Sequence, residues 1–366
     1  MKIVIFGLTI SSTWGNGHAT LWRGLCKALI DMRHDIVFYE RDVPYYANTR
    51  DLTEIRGGRL ELYGCWDDIR MRASSDVADA DVAIVTSYCP DSIAAGAMVL
   101  AQHHALRVFY DLDTPITLAR LAAGEDVLYI DISAFPEFDI VLSYSGGRAP
   151  DEFRSRLGAT HVAPLYGHVD PDLHRPVAPL PHYKADLSYL GTYSEDRQHM
   201  LETLLVSPAR DCPKRRFLIA GAQYPQDFPW SPNIYFVRHL PPAEHSALFC
   251  SSRLTLNVTR RAMAQMGWCP SGRLFEATAC GAPLVTDNWE GLNAFFRPDD
   301  EVIVAKETSD VIAALQRDDR ELMSMARRAR ERTLEEHSSA KRAAELIQLL
   351  ERSPRTERDR LVTVEA

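Results

Sequence analysis

Short apolar runs alternate with amphipathic stretches along almost the whole chain. The runs Lys2–Leu8, His34–Glu40, residues 60–64, Asp81–Thr86, Arg107–Tyr110 and Phe138–Ser143 read as strands of a first half, which Thr160–Tyr166 finishes. Asp186–Gly191, Arg216–Gly221, Asn233–His239, Leu254–Val258, Leu284–Thr286 and Glu301–Ala305 read as strands of a second. Leu284–Thr286 runs apolar, as a parallel strand covered on both faces should, and Lys2–Leu8 and Asp81–Thr86 read likewise as buried strands. Helical spacing appears between them, as in His18–Met32, where Leu21, Leu25, Ala28 and Leu29 make one face. Further helices are predicted near 47–55, across Ile93–Ala105, from Pro115, up to Val206, over Pro242–Phe249, and near 308–316, 319–332 and 338–352. Strand and helix in alternation predict an α/β fold with doubly wound sheets. Phe138–Ser143 is expected to be the last strand of the first half.

The prolines at 171, 176, 179 and 181 make residues 168–182 an extended crossing between two domains, 1–167 and 183–335. Residues 336–352 form a last helix, and 353–366 read as a polar, flexible tail.

One stretch, Cys269–Asp287, carries the densest information. Ser271 can cap a helix, Leu274, Ala277 and Thr278 recur at helical spacing, and Gly281 followed by Pro283 ends it. The helix start at Gly272, with its free N–H groups and Arg273, suits an anion. Glu276, one turn in, is placed to hold hydroxyl groups of the molecule that bears the anion. A phosphate-bearing sugar nucleotide meets both conditions.

The 366 residues suffice for two domains with a sizeable core each. A net charge of −9 argues against nucleic-acid binding driven by counterion release, without excluding a local basic pocket. Seven scattered cysteines with no Cys-x-x-Cys pair suggest free thiols in a cytoplasmic protein. No apolar run approaches the length of a membrane span.

The segment Arg-Leu-Phe-Glu-Ala-Thr-Ala-Cys-Gly-Ala-Pro-Leu-Val-Thr-Asp resembles the nucleotide-sugar site of GT-B glycosyltransferases. The resemblance is to the spore-maturation (CgeB-like) branch of glycosyl transferases group 1, over roughly residues 1–335. It implies two Rossmann-like domains facing across a cleft, the nucleotide sugar held mainly by the second, with 336–352 returning to the first. It implies no cofactor besides the nucleotide-sugar donor, a UDP or TDP sugar being favoured. The acceptor is an unidentified small molecule, glycan or protein.

In that family the glutamate at the position of Glu276 holds the ribose hydroxyls. Many retaining members carry a second glutamate eight positions earlier, where this chain has Trp268. Gly191 and Gly221 end strands at the ligand edge, and His239-Leu240 stands where relatives pack the base. Arg197 takes the place of a lysine that contacts the diphosphate, or is a surface arginine in a polar first turn. Arg260 and Arg261 close the family-like segment Asn-Val-Thr-Arg-Arg and would join Arg273 in a diphosphate pocket. No metal is needed there.

In the first half, Trp14-Gly-Asn-Gly-His18 follows the first strand, where open α/β sheets place ligands, and resembles the first loop of the CgeB-like proteins. Gly17 permits close backbone approach. His18 matches the catalytic base of inverting GT-B enzymes, or else only caps the helix or touches a phosphate. Asp111 and Asp113 end a later strand. Asp-x-Asp invites a metal reading, but contact with acceptor or donor sugar fits this context better. Asp111 is the second candidate for the base, or the residue that orients His18. Two other readings stay open: a nucleotide-sugar epimerase of the same fold, and a non-catalytic surface or assembly protein.

Overall fold

The computed structural model describes residues 1–15 and 17–353. Asn16, inside the first glycine loop, and the tail from residue 354 lie outside the described residues. The chain divides into two units: residues 1–166 joined by the C-terminal segment from Ser339, and Gly167–Ser338.

In the first unit the order is β1 (Lys2–Gly7), α1 (His18–Asp31), β2 (Asp35–Arg41), α2 (Pro44–Ala47), β3 (Arg59–Tyr63), α3 (Trp66–Ala78) and β4 (Val82–Thr86). It continues with α4 (Ser92–Leu100), β5 (Leu106–Asp111), α5 (Thr114–Ala122), β6 (Ile140–Ser143), α6 (Ala149–Leu157) and β7 (Val162–Pro164). The sheet is wholly parallel, in the order β3-β2-β1-β4-β5-β6-β7. Its direction reverses between β1 and β4, which opens a crevice at their carboxyl ends. Phe6, Tyr39, Phe109, Phe135 and Phe153 pack in the core beneath.

The second unit holds β8 (Ala185–Leu190), α7 (Gln198–Leu201), α8 (Ser207–Asp211), β9 (Phe217–Gly221), β10 (Ile234–Arg238), α9 (His245–Ser251) and β11 (Ser252–Asn257). α10 (Arg261–Met266), α11 (Gly272–Ala279), β12 (Leu284–Thr286), β13 (Ile303–Val304), α12 (Thr308–Ala314) and α13 (Asp319–Glu336) follow. Its parallel sheet runs β10-β9-β8-β11-β12-β13, with the reversal between β8 and β11. Leu187, Leu204, Phe217, Leu254 and Leu256 fill its core. The last helix, α14 (Ser339–Arg352), packs on α1 of the first unit through Ala343, Leu346, Ile347 and Leu350.

Several expectations need correction. Phe138–Ser143 is not the last strand of its half, because Val141 to Ser143 pair with Val162 to Pro164. The helix near 47–55 reduces to α2, since Asp51 is drawn off by Arg23 and its own N–H donates to Ser11 O. α3, α6 and α10 were not foreseen. Apart from these corrections, residues 168–182 are tied to the second unit, where Ser246 donates to Leu173 O and Leu180 N–H to the Ser251 hydroxyl.

Candidate functional site

At the reversal of the first sheet, the loop after β1 is fixed by a buried carboxylate. Glu40, the sixth residue of β2, accepts from Thr9 Oγ1 (2.9 Å), Ile10 N (2.7 Å), Ser11 N (2.9 Å) and Ser11 Oγ (2.6 Å). Four donors on a fully buried carboxylate set the path of the chain toward His18. His18 opens α1 and is nearly buried, with its ring edge against Tyr88 at 5.8 Å between centroids. Its Nε2 lies 3.7 Å from Asp113 Oδ2, and its Nδ1 has no hydrogen-bond partner among the described residues. Gly17 precedes it at φ −92°, and a Cβ there would meet only open space, so the space above the helix start is free.

Asp113, not Asp111, is therefore the carboxylate beside His18. Asp111 is fully buried at the end of β5 and pairs with no histidine among the described residues. Its Oδ1 accepts from Asp113 N at 3.0 Å, while Oδ2 has no hydrogen-bond partner among the described residues. Burial pushes the Asp111 carboxyl up to about 6, against the opposing pull of the Thr117 hydroxyl and the Asp113 N–H. A carboxyl with a raised folded value favours the fold below its unfolded value of 3.8, and that advantage is lost as pH rises through about 6. Asp111→Asn is accordingly expected to stabilise the protein at pH 7 by on the order of 2–3 kcal/mol, and not at pH 3.5. Urea unfolding at the two pH values measures it; equal effects at both would show that Asp111 is not strained by ionisation.

At the reversal of the second sheet, three chain segments meet. Ser271 caps α11, its hydroxyl accepting from Arg273 N at 3.3 Å, and its carbonyl accepts from Leu274 N at 3.1 Å. Gly272 N–H has no acceptor among the described residues, and a Cβ on Gly272 would have only Glu276 Oε1 nearby, at 3.8 Å. Gly281, at φ +72°, stops the helix. Leu274 is wholly buried, so it faces the core and can serve a ligand only through its backbone. Arg273 Nε reaches the end of β8 at Leu190 O (3.4 Å), and Arg260 Nε meets Asp196 Oδ2 (3.3 Å) in the loop after that strand.

The arginines expected to form one pocket are thus held differently. Arg273 Nη1 donates to Glu276 Oε2 at 2.6 Å, and Arg260 pairs with Asp196. Arg261 is exposed at the start of α10 with no ion pair among the described residues. Arg197 lies in the turn before α7, its Nη1 on Thr192 O (3.1 Å) and its buried Nε without a partner among the described residues. Gly191 and Gly221 are explained by packing: a Cβ on Gly221 would stand 2.0 Å from Gly191 O, and one on Gly191 2.6 Å from Tyr189 Oη. His239 takes a left-handed φ of +53°, its N–H donating to Gly221 O at 2.8 Å, and Leu240 is buried behind it. Trp268 lies across Gly291, where any Cβ would stand 2.5 Å from the indole.

Glu276 is buried among charges. Burial opposes its ionisation, and Arg273 together with the flanking His174 and His245 overcomes that, holding the carboxyl down to about 2. His174 Nε2 and His245 Nδ1 lie 3.9 and 3.8 Å from Glu276 Oε2. Burial lowers both rings, His245 to about 3 with Arg273 adding to the effect, so both are neutral at pH 7.

Residues 197–348, less than half of the chain, match a family model described as glycosyl transferase-like. No curated protein sequence matches the chain. Among solved structures, an alpha-glucosyltransferase in complex with UDP-glucose and abasic-site DNA superposes with a TM-score of 0.71 at 13% identity, over 96% of this chain and 100% of its own. Sucrose-phosphate synthase from Thermosynechococcus elongatus gives 0.70 at 14% identity, over 95% and 98%. Anabaena HepE in complex with UDP and glucose gives 0.67 at 12%, over 96% and 99%.

The fold is GT-B. Within this GT-B chain, sequence reasoning missed Glu40, Tyr88, Asp113 as the partner of His18, and the pair His174 and His245. Only Asp113 carried a visible signal, as the second carboxylate of Asp-x-Asp.

Proposed function

We propose that this protein is a glycosyltransferase that takes a sugar from a nucleoside diphosphate sugar, of UDP or TDP type, to an acceptor hydroxyl or amine. The observation that carries the proposal is the start of α11: a capped helix with a free Gly272 N–H, Arg273 beside it, and the buried, ionised Glu276 one turn on. Helix dipole, N–H and guanidinium suit a diphosphate, and the Glu276 carboxylate suits ribose hydroxyls. That solved GT-B relatives were captured with UDP and glucose or with UDP-glucose supports the donor class.

In this reading an acceptor oxygen attacks the anomeric carbon, His18 takes its proton, and the bond from that carbon to the diphosphate oxygen breaks. The leaving diphosphate's charge is met by the α11 terminus and Arg273 beside it, so no cation is required on it. Direct displacement inverts the anomeric centre, and Trp268 in place of a second glutamate agrees with that outcome. The acidic balance of the chain, −9, favours a small-molecule, glycan or protein acceptor over nucleic acid. Seven free thiols favour a cytoplasmic setting.

Calorimetric titration with UDP, TDP, GDP, ADP and CDP, with and without Mg²⁺, tests the proposal. One diphosphate is expected to bind saturably, with its affinity unchanged by Mg²⁺. Binding that needs Mg²⁺ would overturn the metal-free site, and no binding by any of them would overturn the donor class.

A further inference from the structure

The back of Glu276 has a geometry that nucleotide binding does not explain. His174, in the extended segment before β8, His245 at the start of α9, and Glu276 in α11 bring three ligand-type atoms within 4.8 Å of one another, all from buried residues. No other group of three such residues occurs among the described residues. His245 Nε2 stands 3.3 Å from Leu240 O, so this nitrogen carries the proton and donates. Its Nδ1 then turns a lone pair toward Glu276 Oε2 at 3.8 Å, and two acceptors face each other. Across the same oxygen, His174 Nε2 stands at 3.9 Å, and among the described residues no protein group donates to or accepts from either nitrogen of its ring, which is 1% exposed.

Buried polar atoms left without partners are costly, because they lose their water without gaining a replacement bond. A ring that donates to a backbone carbonyl while aiming its other nitrogen at a shared centre is the arrangement of a metal-bound histidine. Two imidazoles and one carboxylate oxygen are a zinc-type donor set. Ligand separations of 3.8 and 3.9 Å need only a few tenths of an ångström of closure to suit bonds of about 2.0–2.2 Å. Oε2 has two lone pairs, so it can accept from Arg273 and bind a cation together.

We propose that His174 Nε2, His245 Nδ1 and Glu276 Oε2 form a binding site for one borderline divalent cation of the zinc or cobalt type. The cation pins the extended segment, α9 and α11 together behind the carboxylate. Oε1 stays turned to the side where Gly272 leaves space. The cation lies behind the nucleotide site and takes no part in holding a diphosphate.

The test is to strip the full chain with a chelator and titrate it with Co²⁺, following visible d–d absorption, then to displace the cobalt with Zn²⁺. One equivalent is expected to bind, and His174→Gln and His245→Gln are each expected to weaken binding on the order of 100-fold or more. Circular dichroism and UDP titration of the same samples report whether the variants fold and whether the nucleotide reading holds independently. Anomalous scattering at the zinc edge from crystals of the unaltered chain needs no variant, and is expected to place the ion within about 2.3 Å of all three atoms. Absence of saturable binding, cobalt affinity unchanged in both folded variants, or an ion located at another histidine each overturns the proposal.

Discussion

Glu276→Gln is expected to raise the Kd for the bound nucleoside diphosphate about 100-fold, a loss of about 2.8 kcal/mol. The amide keeps the volume of the side chain but removes the charge that Arg273 neutralises at 2.6 Å and the acceptor proposed for the ribose hydroxyls. Charge-assisted hydrogen bonds contribute about 1.5–3 kcal/mol each, so two weakened ones suffice. Calorimetry on the folded variant reads the effect directly. A Kd within roughly threefold of the parent would remove the ribose from this carboxylate. The same variant has an acid signature. A carboxyl held at about 2, against 4.5 when unfolded, stabilises the protein above 4.5, and that contribution disappears as pH falls toward 2. The parent should therefore lose stability more steeply than Glu276→Gln between those values.

His18→Ala is expected to lower kcat roughly 1,000-fold while leaving the donor Kd unchanged, since a positioned base contributes about 10²–10⁴. Asp113 faces the ring at 3.7 Å without a hydrogen bond, so it orients His18 electrostatically. Asp113→Asn should cost about tenfold in kcat, less than loss of the ring itself. Single-turnover measurements with saturating donor separate the chemical step from binding. A kcat for His18→Ala within tenfold of the parent would make His18 a helix-start residue and nothing more.

The strands were most legible where the run is apolar from end to end, as in Val82–Thr86, buried throughout. α11 was legible because cap, spacing and Gly stop agreed with one another. α3 was not, because its buried stripe of Ile69, Ala73, Asp76 and Val77 includes a carboxylate. Asp76 is buried only by virtue of Tyr39, Lys2 and Arg59, which come from two other strands and the β1 start, and no local pattern announces them. The choice between Asp111 and Asp113 turned on a single residue step at a strand end, where one side chain goes under the sheet edge and the other beside His18. His174 and His245 stayed silent because their meaning is a distance to Glu276, across 102 and 31 residues of chain respectively.

The placement of α14 bears on how the molecule comes into being. The second unit is one uninterrupted piece of chain, whereas the first is completed only by a helix translated after it. Until Ser339–Arg352 has left the ribosome, the face of α1 that it covers is exposed. However early its sheet forms, the first unit therefore reaches its final packing only when the last of the described helices has been made.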